Sequence, residues 1–323
     1  MELGVHLPLM QFGDQQLSRQ RLEATVDAAR DCGFAAVSAN DHLVFQTPWL
    51  DGLTALASVI DRSGEMALAT TVSLPVLRGP VALAKALAAI DVLSEGRLVA
   101  GLGPGSSERD YRVLGIPFEE RWPRFEEALL LLRALLRGEP MPEAPQYYPV
   151  PPDVELAPGP YTQDGIPLWI GSWGSRAGLA RVARAGDGWL ASAYNTSPER
   201  FADARLVLSH LLEQRGREPR FPNALATMWT WVSKDRAEGD RVLADVLAPA
   251  LRRDPDELRA QVCVGPAGHC AELLARYAEA GCERVYLWPL GDEARQIELV
   301  AETVAPQLSR PSPSRARRDR RDA

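Results

Sequence analysis

The sequence predicts an α/β protein, a (β/α)8 TIM barrel with a proline-rich insertion after the fourth strand–helix unit. Two observations carry this. Short apolar segments alternate with amphipathic helical ones along most of the chain, as in parallel strands joined by helical crossovers. Small and polar residues also gather just after several of the apolar segments, which is where a barrel assembles its site. A doubly wound sheet usually needs fewer strands and has no reason to place such residues at so many strand ends.

Leu3–Leu7 reads as the first strand, and Ser18–Asp31 as a helix with Ser18 as N-cap and Gly33 just past its end. Phe34–Ala39 is the second strand and Leu53–Arg62 its helix. Met66–Leu74 is the third, followed by a helix over Val81–Leu93 with Pro80 in the favoured first position. Leu98–Leu102 and the helix Phe125–Leu136 complete the fourth unit. Residues 138–165 then interrupt the alternation with many prolines and no helical period. A loop of this length inside a compact unit is an active-site cover or a disordered segment. Regular alternation resumes after it, so it reads as an insertion rather than a linker. Its Tyr147, Tyr148 and Tyr161, together with Trp49, suit a cover over an apolar or aromatic pocket.

Beyond the insertion, the strands are Leu168–Gly171, Gly188–Ala191, Ala224–Val232 and Arg284–Trp288. Helices are expected over Ala177–Ala185, Pro198–Arg215, Ala237–Leu251, Gly268–Ala280 and Glu293–Val304. Residues 1–308 therefore read as a single domain. The arginine-rich residues 309–323 read as a disordered, solvated tail, with an interaction tail as the alternative.

The chain has 323 residues, 46% of them hydrophobic, so a sizeable core can form. A net charge of −7 argues against a nucleic-acid binder, whose domain is normally basic. The N-terminus shows no signal peptide, and no apolar run is long enough to span a membrane. The four cysteines (Cys32, Cys263, Cys270 and Cys282) lack zinc spacing and are too few for a disulfide scaffold. A cytoplasmic, reduced protein is expected. No metal is expected either, because the histidines are scattered.

The second strand ends in Asn40-Asp41-His42. His42 is placed to act as general acid or base, since imidazole titrates near neutrality, and Asp41 to orient a ring or accept from a heterocycle. A capping pair with an exposed His remains the alternative. His6 reads as a satisfied core histidine rather than a mouth residue. Thr71 and Ser73 fall on one face at the end of the third strand. Gly101–Gly105 has the form G-x-G-x-G, and glycine after a buried strand lets the backbone approach a bound molecule closely. It lacks the spacing of a dinucleotide fingerprint. Glu108 and Asp110 beyond it read as solvated, and Arg121 as paired with Glu119 or Glu120. At Gly171-Ser172-Trp173-Gly174-Ser175, backbone amides and hydroxyls meet a helix start, a cradle for phosphate or else an ordinary Ser-capped helix. Asp187 reads as structural.

In this order the segments resemble the luciferase-like monooxygenase superfamily, most of all its branch using the deazaflavin coenzyme F420. The resemblance rests on GVHLP (4–8), Asp41-His42, the stretch 77–105 ending in GLGPG, LGIPFEERW (114–122), PLWIGSWGS (167–175) and AGDGWL (185–190). It implies a metal-free barrel, a homodimer, and F420 or alternatively FMN in the mouth. The ring would lie near Asp41, His42, Thr71, Val72 and Ser73, with a cis peptide at Thr71-Val72. Gly103, Gly105 and Ser106 would line the cofactor, and Gly171, Ser172, Gly174 and Ser175 would hold its phosphate. The chain departs from the glucose-6-phosphate dehydrogenases of this group in two places. Ser106 stands where they carry Glu, and Gln46 where they carry Trp, with Trp49 nearby but out of register.

Three functions follow as expectations. The first is an F420-dependent oxidoreductase moving a hydride to or from a small organic substrate, with His42 handling the proton. The second is an FMN-dependent monooxygenase on the same fold. The third is a non-catalytic flavin-binding relative.

Overall fold

A computed structural model describes residues 1–151 and 153–308. The expected tail at 309–323 lies outside the described residues. Nine parallel strands form one sheet: β1 (Glu2–His6), β2 (Ala36–Ala39), β3 (Ala67–Thr70), β4 (Leu98–Leu102), β5 (Leu168–Gly171), β6 (Gly188–Ser192), β7 (Asn223–Ser233), β8 (Cys263–Pro266) and β9 (Arg284–Pro289). β1 to β7 pair in chain order and β9 closes the ring between β7 and β1, giving an eight-stranded barrel. The eight expected strands are these eight. β8 was not expected; it pairs outside the ring with Thr230–Ser233, the far end of β7. β7 can serve β6, β9 and β8 because it runs for 11 residues, and its register against β9 shifts between Leu225 and Met228.

Strand alternation divides the core in two. Val5, Val37, Leu68, Ile170 and Leu225 face the helical layer, while Ala36, Ala69, Leu190, Tyr286 and Trp288 belong to the cluster inside the barrel. Small residues make room for large ones there: a Cβ on Gly4 would meet the Tyr286 ring at 2.8 Å. Between barrel and helices, Trp189 stacks on Phe201 with centroids 4.7 Å apart, and Phe201 meets Tyr277 edge-on. Truncating Phe201 would cost about 3–5 kcal/mol by opening that cavity.

Local signals set the helix starts. Ser18 caps Arg19–Asp31 by accepting from the Arg21 N–H, and Pro80 opens Pro80–Leu93. Four helical expectations are corrected. The helix expected over Leu53–Arg62 stops at Ser58. Arg121–Arg137 begins four residues earlier than expected. The segments after β7 and β9 each contain a π-helical turn, Leu243–Leu247 and Val300–Val304. A short helix at Glu108–Val113, capped by Ser107, was unforeseen. The third strand is also shorter than expected. It ends at Thr70, and the chain turns through a cis Thr71-Val72 peptide into the helix Pro75–Arg78.

The proline-rich insertion is not a cover over the mouth. It lies between Arg121–Arg137 and β5, and its ties run to the helical layer. The Glu127 carboxylate accepts from the Gln146, Tyr147 and Tyr148 amides, Lys85 donates to the Ala157 carbonyl, and Asp91 accepts from the Tyr161 amide. Tyr147 instead stacks under Arg124, 4.5 Å from its guanidinium carbon. The covering role falls to the excursion between β7 and β8. There Leu243, Leu247, Leu258 and Val262 join Met10, Trp229 and Trp288 in one apolar cluster. Gln46 reaches across to donate to the Ala250 carbonyl at 2.7 Å, and Arg253 donates to Asn195 at 2.8 Å.

Candidate active site

Asp41, Thr71, Ser73, Gly103 and Gly171, five of the expected site residues, meet around Val72. The Asp41 amide donates to the Val72 carbonyl at 3.0 Å. A Cβ on Gly103 would sit 2.8 Å from Val72 Cγ2, and one on Gly171 would sit 3.3 Å from Val72 Cγ1. Ser73 binds the fourth strand twice, donating to the Gly101 carbonyl and accepting from the Gly103 amide. Asp41, Thr71–Ser73, Gly103 and Gly171 thus form one continuous surface across the ends of β2 to β5.

Asp41 is tied into the fold by its side chain. Its buried carboxylate takes two hydrogen bonds from Arg78, at 2.7 and 2.5 Å, and a third from the Leu74 amide. These bonds hold the turn after β3 in place. Burial works against the Arg78 charge, but Asp41 and Asp51 outweigh it and raise the Arg78 pKa above its ordinary value.

His42 is not merely an exposed cap. Its Nδ1 lies 2.9 Å from Oδ2 of Asp110, and Phe45 and Trp49 pack on its ring at 4.5 and 4.6 Å between centroids. Asp110, read from the sequence as solvated, is 1% exposed. Burial pushes its carboxyl pKa up, but the bonds from His42 and the Val44 amide win, and the net shift is downward. An ionised Asp110 accepts from a protonated Nδ1, and Nε2 has no partner among the described residues. The next residue, Tyr111, donates its hydroxyl proton to the Pro104 carbonyl. One short helix therefore orients the imidazole and supports the glycine loop. Its signal was present in the sequence: Ser107 and Asp110 have the spacing of an N-cap and its third helical residue.

Gly105 and Gly174 have φ of 85° and 91°, a region that favours glycine. At the end of β5, Ser172 Oγ accepts from the Gly174 amide and Ser175 Oγ from the Gly178 amide, capping Arg176–Ala185. The Leu179 amide is taken by the Ser175 carbonyl. The Arg176 and Ala177 amides have no partner among the described residues and stand at the positive end of the helix.

A family model for luciferase-like monooxygenases matches residues 1–284. The chain belongs to this family. It is 29% identical over 334 residues to an F420-dependent glucose-6-phosphate dehydrogenase of Beutenbergia cavernae, covering 91% of this chain and 95% of that one. It is also 29% identical over 236 residues to an F420-dependent hydroxymycolic acid dehydrogenase of Mycobacterium tuberculosis, covering 69% of this chain and 62% of that enzyme. Among solved structures, a monooxygenase of Streptomyces bottropensis superposes with a TM-score of 0.82 at 22% identity, covering 96% of this chain and all of that one. These structures share the TIM-barrel fold.

Within this family frame, the two departures have visible consequences. Gln46 turns to the Ala250 carbonyl, and Trp49 supplies the aromatic contact to His42 from three positions later. Ser106 is exposed, and neither it nor Gly105, which faces Leu74 and Tyr111, is among the residues that meet at Val72. His6 is buried as expected, with Nε2 3.1 Å from Asn40 Oδ1 and its ring stacked on Trp288. Arg121 bonds the Phe118 carbonyl and covers that ring rather than pairing with Glu119 or Glu120; Glu120 pairs with Arg124. Asp187 is structural, bonding Arg137 and the Leu168 amide.

Proposed function

We propose that this protein is an F420-dependent oxidoreductase that moves a hydride between the deazaflavin and a small organic molecule. The observation that carries the reading is the His42–Asp110 pair, set one residue from the Asp41–Val72 contact that anchors the glycine-lined surface. The F420-dependent names of the dehydrogenases it resembles support it.

The residues fit such a cofactor. The Thr71 hydroxyl is buried with no partner among the described residues, and the Gly103 surface leaves no room for a Cβ beside Val72. Thr71–Ser73 and Gly103–Gly105 would receive the ring, while Ser172, Gly174, Ser175 and the free amides of Arg176 and Ala177 would receive the phosphate. When bound, the deazaflavin supplies hydride chemistry. The chain's own task is to exclude water through the excursion after β7 and to manage the accompanying proton. His42 holds or releases that proton at Nε2, with Asp110 fixing the other nitrogen. A homodimer is proposed as the assembly, to be checked by light scattering on a sizing column.

A parallel fluorescence titration with F420 and FMN tests the cofactor. Tighter binding of F420 is expected. Preference for FMN would replace this reading with the oxygen-dependent one, for which an FMN complex of a diketocamphane monooxygenase (18% identical, TM-score 0.72) provides the fold precedent.

A further inference from the structure

The loop that follows β4 hangs on one side chain. Gly103 is the last of its residues with a backbone bond, donating to the Ser73 carbonyl at 3.1 Å, and Ser107 then caps the helix Glu108–Val113. Between them, Pro104, Gly105 and Ser106 make a single hydrogen bond to the described residues: the Tyr111 hydroxyl donates to the Pro104 carbonyl. Gly105 has no side chain to anchor it and sits at φ 85°. Without that bond, the loop would have to be ordered by whatever settles on it.

Tyr111 is well placed to act as the tether. It is fully buried, and its ring meets Phe118 edge-on with centroids 5.2 Å apart. Its Cε2 lies 3.7 Å from where a Cβ on Gly105 would stand. Burial pushes its pKa up, so the hydroxyl keeps its proton and remains a donor. The residue before it is Asp110, whose carboxylate holds His42 and the Val44 amide. Adjacent residues of one helix therefore set the loop and the imidazole relative to each other.

The same bond decides which way the next amide faces. Among the described residues only Thr71-Val72 and Ala157-Pro158 are cis, so the Pro104-Gly105 peptide is trans. In a trans peptide the N–H points opposite to the C=O. With the Pro104 oxygen turned to the buried tyrosine, the Gly105 N–H is turned to the other side. Gly105 is half-buried, and this N–H has no acceptor among the described residues.

We propose that Tyr111 is a positioning residue, whose hydroxyl aims the Gly105 N–H at an acceptor atom of the bound cofactor ring. A backbone donor fixed in this way needs no rearrangement when the ring arrives. In naming the ring as the acceptor, the proposal rests on the cofactor reading above; the tether itself does not.

The test exploits the sequence, in which Pro-Gly occurs twice, at Pro104-Gly105 and Pro158-Gly159. A carbonyl-carbon label on proline and an amide-nitrogen label on glycine reduce the correlated NMR spectrum to these two amides. Gly159→Ala removes one signal and so identifies Gly105. Adding F420 is expected to move the Gly105 signal downfield and slow its exchange with solvent, while the Gly159 signal stays. Tyr111→Phe keeps the ring and loses only the hydroxyl. It should weaken F420 about three- to tenfold and remove most of the Gly105 shift, with the His42 ring signals unchanged because Asp110 is untouched. An unmoved Gly105 signal in unsubstituted protein that binds F420 would overturn the proposal without any variant having to fold. So would a Tyr111→Phe protein that retains the full Gly105 shift, whatever its affinity. A tyrosine that only supports the fold would lower the melting temperature and leave both affinity and shift as they were. If fluorescence shows no F420 binding, the cofactor reading falls and takes the ring with it. The Gly105 signal of the free protein still reports the tether: displacement by Tyr111→Phe sustains it, and an identical signal in both proteins removes it too.

Discussion

His42 and Asp110, 68 positions apart, meet with 2.9 Å between Nδ1 and Oδ2, and the same carboxylate accepts from the Val44 amide two residues beyond the histidine. The ring is thereby held from one nitrogen and its loop from the backbone. Asp110→Asn keeps an oxygen for the Val44 amide but removes the charge that fixes the tautomer. It is expected to lower kcat by about a hundredfold, with F420 affinity nearly unchanged. Parallel loss of F420 binding in the titration would show that Asp110 only supports the fold.

Gly103 faces Val72 at a distance that admits no methyl group. With a Cβ 2.8 Å from Cγ2 of a β-branched side chain, Gly103→Ala must push Val72 or the glycine loop aside. The cost of such overpacking is about 1–3 kcal/mol. F420 affinity should fall about tenfold or more in the variant, with a cooperative melt retained. An unchanged dissociation constant would remove this surface from the cofactor site.

The barrel was legible because β-strand patterning and helix caps are local. Ser18, Pro80 and the eight apolar segments each carry their meaning within a few residues. The glycine and serine positions at the ends of β4 and β5 were legible for the same reason. The partnerships were not. Asp110 looks like any acidic residue of a polar loop until the fold carries it to His42, and Asp41 looks available until Arg78 arrives from beyond the next strand. The cover was misplaced because proline content marks irregular backbone without saying what that backbone packs on. The segment after β7 that does close the mouth reads as an ordinary amphipathic helix. β8 was missed since its four residues, Cys263–Pro266, pair only with the end of an unusually long strand.

His6 gives the stability a direction with pH. Burial lowers its pKa from 6.5 to about 3, so it is neutral when folded, whereas the unfolded chain binds a proton below 6.5. The stabilisation from keeping it neutral is complete above the unfolded value and is lost as pH falls towards 3. Between pH 6 and pH 4 this one group should remove about 2 kcal/mol. Urea melts across that range should show a shallower loss for His6→Gln than for the unsubstituted protein. Identical slopes would mean that the folded ring accepts the proton.

Ser175 separates capping from cofactor binding. Its hydroxyl takes the Gly178 amide at 3.2 Å, so Ser175→Ala should cost about 1 kcal/mol of stability whatever the site binds. Glycine is tolerated at an N-cap at a cost of only a few tenths of a kcal/mol, so Ser175→Gly should melt close to the unsubstituted protein. If the hydroxyl also helps seat a phosphate beside the Arg176 and Ala177 amides, both variants should weaken F420 about three- to tenfold. Neither should weaken a deazaflavin that lacks the phosphate. The two substitutions thus differ in melting temperature and agree in affinity only when the phosphate lies at this helix. A fall in affinity confined to Ser175→Ala, following its lower stability, would leave the serine as a cap alone.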